Sequence, residues 1–117
     1  MLEPSEAVDV PLEVSVLVFW RPIPGQTLWV LVGVHPERPG TDDWYTTRCY
    51  PKNAAPDRFT CDRVRFGRNL QQHGPWDLVA VQVPEHEYME QYVGVGYLKP
   101  IETLPISARS RTYQYRR

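Results

Sequence analysis

Apolar and polar positions alternate at the start of "PLEVSVLVFW" (residues 11–20): Leu12, Val14, Val16 and Val18 fall on one side, Glu13 and Ser15 on the other. At Leu17 and Phe19 the second side turns apolar as well, which predicts a strand whose later half is covered on both faces. "TLWVLVGVH" (27–35) is β-branched, aromatic and unbroken, the pattern of a central strand. Gly33 inside it points to a bulge or a bulky neighbour. "WYTTRCY" (44–50), "RFTCDRVRF" (58–66) and "WDLVAVQV" (76–83) predict three further strands. The segments "RPIPGQT", "PERPGTDD", "PKNAAPD" and "GRNLQQHGP" between them read as turns and loops. The period then changes. "PEHEYMEQYV" (84–93) has proline at a possible first helical position, acids in the first turn, and Tyr88, Met89 and Tyr92 at helical spacing, which predicts one short helix. "GVGYLKPIETLP" reads as an irregular link, and the alternation in "SARSRTYQYRR" as a last strand.

Short strands at this spacing with almost no helix predict a mainly β, antiparallel domain, a sandwich or small barrel. The expected organisation is a flexible acidic N-terminus over residues 1–10 and a single domain over 11–117. Twelve prolines and seven glycines in 117 residues reinforce the turn-rich picture and oppose long helices. The net charge of −1 argues against a dedicated nucleic-acid binder, which draws its affinity from a basic excess. The charge is uneven: Glu3, Glu6, Asp9 and Glu13 precede every basic residue, while Arg109, Arg111, Arg116 and Arg117 close the chain. Attraction between the two ends and protection of an exposed sheet edge by arginine are both compatible with this, and the second is the plainer account. No stretch has the roughly 18–20 apolar residues that span a bilayer. The first residues lack the apolar core of a signal peptide, so the chain as written is expected in the cytoplasm, or outside it if it is a fragment of a longer protein.

"DRFTCDRVRFG" (57–67) poses the main functional question. Its apolar parity switches between Cys61 and Val64, so no flat face holds all its apolar side chains. A bulge near Asp62 and Arg63 returns them to the core and turns Arg58, Arg63 and Arg65 outward. Such a row is a solvated face more often than a ligand-facing patch. Cys49 and Cys61 sit symmetrically about Ala55, so a hairpin centred there sets the thiols opposite each other and makes a disulfide geometrically available. The lack of a signal peptide favours two reduced side chains instead.

Catalytic and metal-binding patterns are missing. His35, His73 and His86 are dispersed, "HEYMEQ" lacks the second histidine of a zinc-protease helix, and "VGVGY" lacks the third glycine of a dinucleotide fingerprint. The expectation is therefore no enzyme, no cofactor and no metal. Trp20, Trp29 and Trp76 lie in apolar strands and are expected in the core. Trp44 and Tyr45 are neighbours on a strand and face opposite ways, so one of them is a candidate contact residue beside Arg48.

The order of "LWVLVGVHP" (28–36), "WYTTRCYP" (44–51), "FTCDRVRFG" (59–67), "GPWDLVAVQVP" (74–84), a short helical piece and "IETLP" (101–105) resembles a small immunoglobulin-like module of bacterial, especially actinobacterial and cyanobacterial, surface and signalling proteins. The resemblance implies an immunoglobulin-like β-sandwich that acts as an accessory recognition domain without an active site. The expected function is a non-catalytic binding or assembly module for a protein partner, using a sheet face or edge. Its candidate surface is Trp44, Tyr45, Arg48, Arg63 and Arg65. The alternatives are a polyanion or nucleic-acid binder using the arginine-rich strand and the basic C-terminus with Tyr113 and Tyr115, and a carbohydrate-binding domain.

Overall fold

The structure, a computed structural model, describes residues 2–4, 6, 8–34, 44–53, 55–92 and 104–117. It is mainly β, with 55% of the described residues in strands, and its antiparallel sheet curls into a half-barrel. The strands are β1 (Leu2–Glu3), β2 (Glu13–Phe19), β3 (Gln26–Val34), β4 (Trp44–Lys52), β5 (Ala55–Arg65), β6 (Trp76–Pro84), β7 (Ala108–Arg109) and β8 (Tyr113–Tyr115). Their order across the sheet is β1-β2-β5-β4-β3-β6-β7, and β8 also pairs with β6. The turn expected at 36–43 and most of the link expected at 94–105 lie outside the described residues.

β3 and β6 form the spine. They pair along their whole length, from Gln26 opposite Pro84 to Val34 opposite Trp76. The curl comes from β4, which changes partner along its length. Its first part pairs with β3, from Gly33 opposite Trp44 to Leu28 opposite Cys49, and its last part pairs with β5 through Tyr50 opposite Thr60 and Pro51 opposite Phe59. The two halves of the sheet are thus bent about one continuous strand.

The parity switch in β5 has the expected cause. Val14 faces Val64 and Val16 faces Cys61, so two steps on β2 meet three on β5. The extra residue falls at Asp62–Arg63, and Arg63 takes a left-handed φ of 60°. Val64 and Phe66 return to the interior, where both are fully buried.

The concave face carries the main core: Val16 and Val18 from β2, Leu28, Val30 and Val32 from β3, Phe59, Cys61 and Val64 from β5, Leu78 and Ala80 from β6, and Tyr113 and Tyr115 from β8. The convex face of β3 and β6 is also covered. Trp29, Leu31, Val79, Val81 and Val83 pack there with Met89 and Leu104, and Trp44, Tyr92 and Ile106 lie over them. Two covered faces explain why β3 reads as an unbroken apolar run, each fully buried aliphatic side chain contributing about 1.5–3 kcal/mol. Gly33 is the site of a bulky neighbour, because a Cβ there would run into the indole of Trp44.

Four expectations need correction. The helix over 84–93 is reduced to one 3-10 turn, Met89–Gln91. Pro84 ends β6 instead of starting a helix, and Tyr88 is extended (φ −117°, ψ 119°), so helical backbone cannot begin before Met89. Burial of Met89 beneath this turn, not helix propensity, fixes the segment. The single last strand is two short ones, both on β6. The N-terminal residues expected as a flexible arm supply β1, and Leu2 and Val10 are buried. Finally, Cys49 and Cys61 are joined by a disulfide with Cα atoms 4.2 Å apart. The register that makes them opposite is the one their symmetric placement implied.

Candidate functional site

Antiparallel pairing brings the end of β2, the start of β3, the end of β4, the start of β5 and the end of β6 to one mouth of the half-barrel. A cleft of about 160 Å³ opens there. Its floor is Leu28, Cys49 and Phe59, all buried, so the disulfide lies directly beneath it. Trp20, Ile23, Tyr50 and Pro51 form its walls, and Arg21 and Arg48 also line it.

Local backbone chemistry holds the apolar wall in water. Ile23 lies between Pro22 and Pro24, which lack the N–H groups a ladder needs. A tight turn closes from the Gln26 N–H to the Ile23 carbonyl (3.1 Å), with Pro24 at its second position and Gly25 at its third. Gly25 has φ 79°, the positive value a type II turn requires. Ile23 consequently remains 47% exposed, and Tyr50, also in the lining, is 60% exposed. Trp20 is half-buried, and its indole N–H donates to Gln82 Oε1 at 3.0 Å. Gln82 is the buried polar side chain at this end, and that bond fixes the plane of the Trp20 ring.

Arg48 pairs with Trp29 and neighbours the buried Cys49, so its guanidinium lies on the convex side of the sheet, away from the cleft floor. Its guanidinium carbon lies 6.0 Å from the Trp29 ring centre and 5.2 Å from that of Tyr50. Its Nε is buried and has no hydrogen-bond partner among the described residues. Two aromatic faces hold this cation in place by their quadrupoles. The cleft lining contains two arginines and no carboxylate or histidine.

The five candidate surface residues do not share this place. Arg48 lines the cleft. Trp44 and Tyr45 are at the opposite end of β4, Trp44 against the convex-face cluster and Tyr45 against the main core. Arg63 and Arg65 are at the far end of β5, where both reach Glu13 of β2 at 3.2 and 3.7 Å. Arg65 also donates to the carbonyls of Gly67 and Arg68 (2.9 and 2.7 Å). Arg58 stacks 5.3 Å over Phe19. Sequence reasoning missed Trp20, Ile23 and Tyr50 as a surface. The available signal was an isoleucine between two prolines, an apolar residue in a segment unable to enter a ladder.

Tyr115 and Arg117 tie the end of the chain into the fold, while Arg109, Arg111 and Arg116 are exposed. Tyr115 is fully buried, donates to the Pro4 carbonyl and packs 4.9 Å from Phe66. Burial pushes its phenol well above the usual tyrosine range. Arg117 lies 4.9 Å over Trp76 and donates to five carbonyls, those of Val10, Pro11, Phe66, Asn69 and Gln72. Desolvation lowers the pKa of its guanidinium. The two ends of the chain therefore meet through backbone groups, including the Val10 N–H to the Arg116 carbonyl at 2.8 Å.

Among the described residues no three His, Cys, Asp or Glu side chains are grouped to hold a metal ion, and no helix is long and apolar enough to cross a membrane. Comparison with protein-family models, with curated proteins and with solved structures gives no match.

Proposed function

We propose that this domain is a non-catalytic binding or assembly module that takes a protein partner at the open end of its curled sheet. The observation that carries this reading is a preformed cleft whose lining includes Ile23 and Tyr50, two large side chains left exposed to water. Exposed apolar groups around a concavity gain by covering each other, and aromatic and arginine side chains are the usual anchors of such contacts. The kinship to immunoglobulin-like sandwiches belongs to the same proposal. It is supported by two sheet halves folded over one core and tied by a buried cross-strand disulfide. That bond also favours work in an oxidising compartment over the cytoplasm. A polyanion-binding role draws less support, because Tyr113 and Tyr115 are buried and Arg63 and Arg65 are shared with Glu13.

Affinity capture from the native host tests the proposal with three baits: wild type, Ile23→Glu, and Leu70→Glu, which changes an exposed leucine outside the cleft (58% exposed). A partner held by wild type and Leu70→Glu but lost from Ile23→Glu, with the melting temperature of each bait unchanged, supports it. Retention on Ile23→Glu contradicts it.

A further inference from the structure

One buried amide gives the cleft a polar requirement. Leu28 stands opposite Gln82 of β6 and opposite Cys49 of β4, so these three side chains form one row on the same face of the sheet, and all three line the cleft. Gln82 is the polar end of that row and is only 7% exposed. Trp20 fixes which way its amide is turned. An indole N–H can only donate, so the Gln82 oxygen faces it at 3.0 Å and the NH2 group is turned away from it. That NH2 group has no hydrogen-bond partner among the described residues.

Holding the Trp20 ring requires nothing but an acceptor. The two N–H donors that glutamine adds are left over, in a side chain more than nine-tenths buried at the end of an apolar floor. A buried donor without a partner carries its full desolvation cost. Only water or the acceptor of a ligand can meet it there, and a ligand that displaces water without supplying an acceptor forfeits the bond.

Size sets the other half of the requirement. A cavity of about 150 Å³ holds one benzene ring, and the cleft measures about 160 Å³, so it takes a single aromatic or branched aliphatic group and not a folded surface. The buried Leu28, Cys49 and Phe59 give that group an apolar floor. An apolar group with a carbonyl a few bonds away is what every large apolar residue of a polypeptide offers. The exposed Ile23 and Tyr50 remain for the flanking chain to cover.

We infer that the cleft takes one aromatic or branched aliphatic side chain from a segment of a partner protein, together with a neutral carbonyl beside it that accepts from the Gln82 NH2 group. This rests on the binding-module reading above and gives the partner its chemistry.

The test uses the whole chain, isotope-labelled, with toluene, acetophenone and the N-acetyl methylamides of phenylalanine and of alanine as probes. The readouts are the NMR resonances of the Trp20 indole N–H and the Gln82 side-chain NH2, which are joined through one hydrogen bond. Acetophenone and the phenylalanine amide are expected to shift both saturably. Toluene, the same ring without an acceptor, is expected to bind about three- to tenfold more weakly, the worth of one net hydrogen bond. The alanine amide, with carbonyls and no ring, should give no saturable shift. In Gln82→Met, which keeps the volume and loses the donor, the advantage of acetophenone over toluene should vanish. If Gln82→Met does not fold, the wild-type comparison and the Gln82 resonance carry the test.

Equal binding of toluene and acetophenone to the wild type, a Gln82 NH2 resonance unmoved at saturation, or no saturable shift by any probe would each overturn the inference. So would binding of acetophenone without the phenylalanine amide, which marks a small-molecule site, or a concentration-dependent shift without any probe, which marks a second copy in the cleft. A captured partner that Ile23→Glu loses and Gln82→Met holds as tightly as wild type overturns the inference and leaves the module reading standing. A partner that Ile23→Glu retains removes both.

Discussion

Reduction of the Cys49–Cys61 bond isolates the contribution of one cross-link to the hairpin that floors the cleft. The cysteines are 12 residues apart, and their release restores the freedom of the closed loop to the unfolded chain. In the chain-entropy treatment a loop of this size is worth about 3 kcal/mol at room temperature. For a chain of 117 residues, unfolding entropy near 2.1 cal/mol/K per residue converts this to a fall in melting temperature of about 12 °C. Reduction of the wild type is the cleaner perturbation, because it removes no atoms from the core. The double variant Cys49→Ala/Cys61→Ala also deletes two buried sulfurs and is expected to lose about 1–2 kcal/mol more through the cavity it leaves. The assay is urea unfolding followed by tryptophan fluorescence, with and without reductant, and thiol labelling to confirm the state of the bond. The unfolding midpoint should fall on reduction while the native spectrum is unchanged. A loss below about 1 kcal/mol would refute the reasoning, since it would mean that native strain or residual structure in the unfolded chain cancels the loop term.

Other perturbations probe separate features. Gly33→Ala drives a methyl group into the Trp44 indole and is expected to cost about 1–3 kcal/mol in chemical denaturation, with much of the loss recovered in a Gly33→Ala/Trp44→Ala background. Arg63→Val places a β-branched residue at φ 60° and should destabilise by about 1–2 kcal/mol, whereas Arg63→Gly should not, although both remove the exposed ion pair with Glu13. Arg117→Lys keeps a charge but cannot serve five carbonyls at once, and it should lower stability by on the order of 2 kcal/mol. The buried phenol of Tyr115 has a pKa raised above its unfolded value near 10, so the protein resists its ionisation. Stability is intact below that value and is lost as pH rises through it; spectrophotometric titration should show one tyrosine ionising only on unfolding, absent in Tyr115→Phe.

The parts of the fold that were legible in sequence are those written in local parity. The switch between Cys61 and Val64 required an extra residue in β5, and the bulge at Asp62–Arg63 supplies it. The symmetric cysteines match the register of Tyr50 on Thr60 and Pro51 on Phe59, and of the two readings of Gly33, a bulge or a bulky neighbour, the structure has the second, the ring of Trp44. The illegible parts depend on contacts distant in sequence. Pro84 satisfies a helix start as well as a strand end, and only pairing with Gln26 decides between them. Nothing local to β4 reveals that Cys49 is the last residue on β3 and Tyr50 the first on β5. That Arg117 is tied into the fold was hidden in the sequence because its acceptors are backbone carbonyls from three remote segments, which leave no trace in residue type. The cleft escaped for a related reason. Its walls come from five strand ends, and only Arg48 of the five candidate residues lies in it.

Site-specific photocrosslinking in the native host tests the central claim most directly. A photoreactive residue is placed at Ile23 in the cleft or at Leu70 outside it, both exposed. The account predicts a discrete adduct with one partner from position 23 and none from position 70. An adduct formed from position 70 and not from position 23 would contradict it.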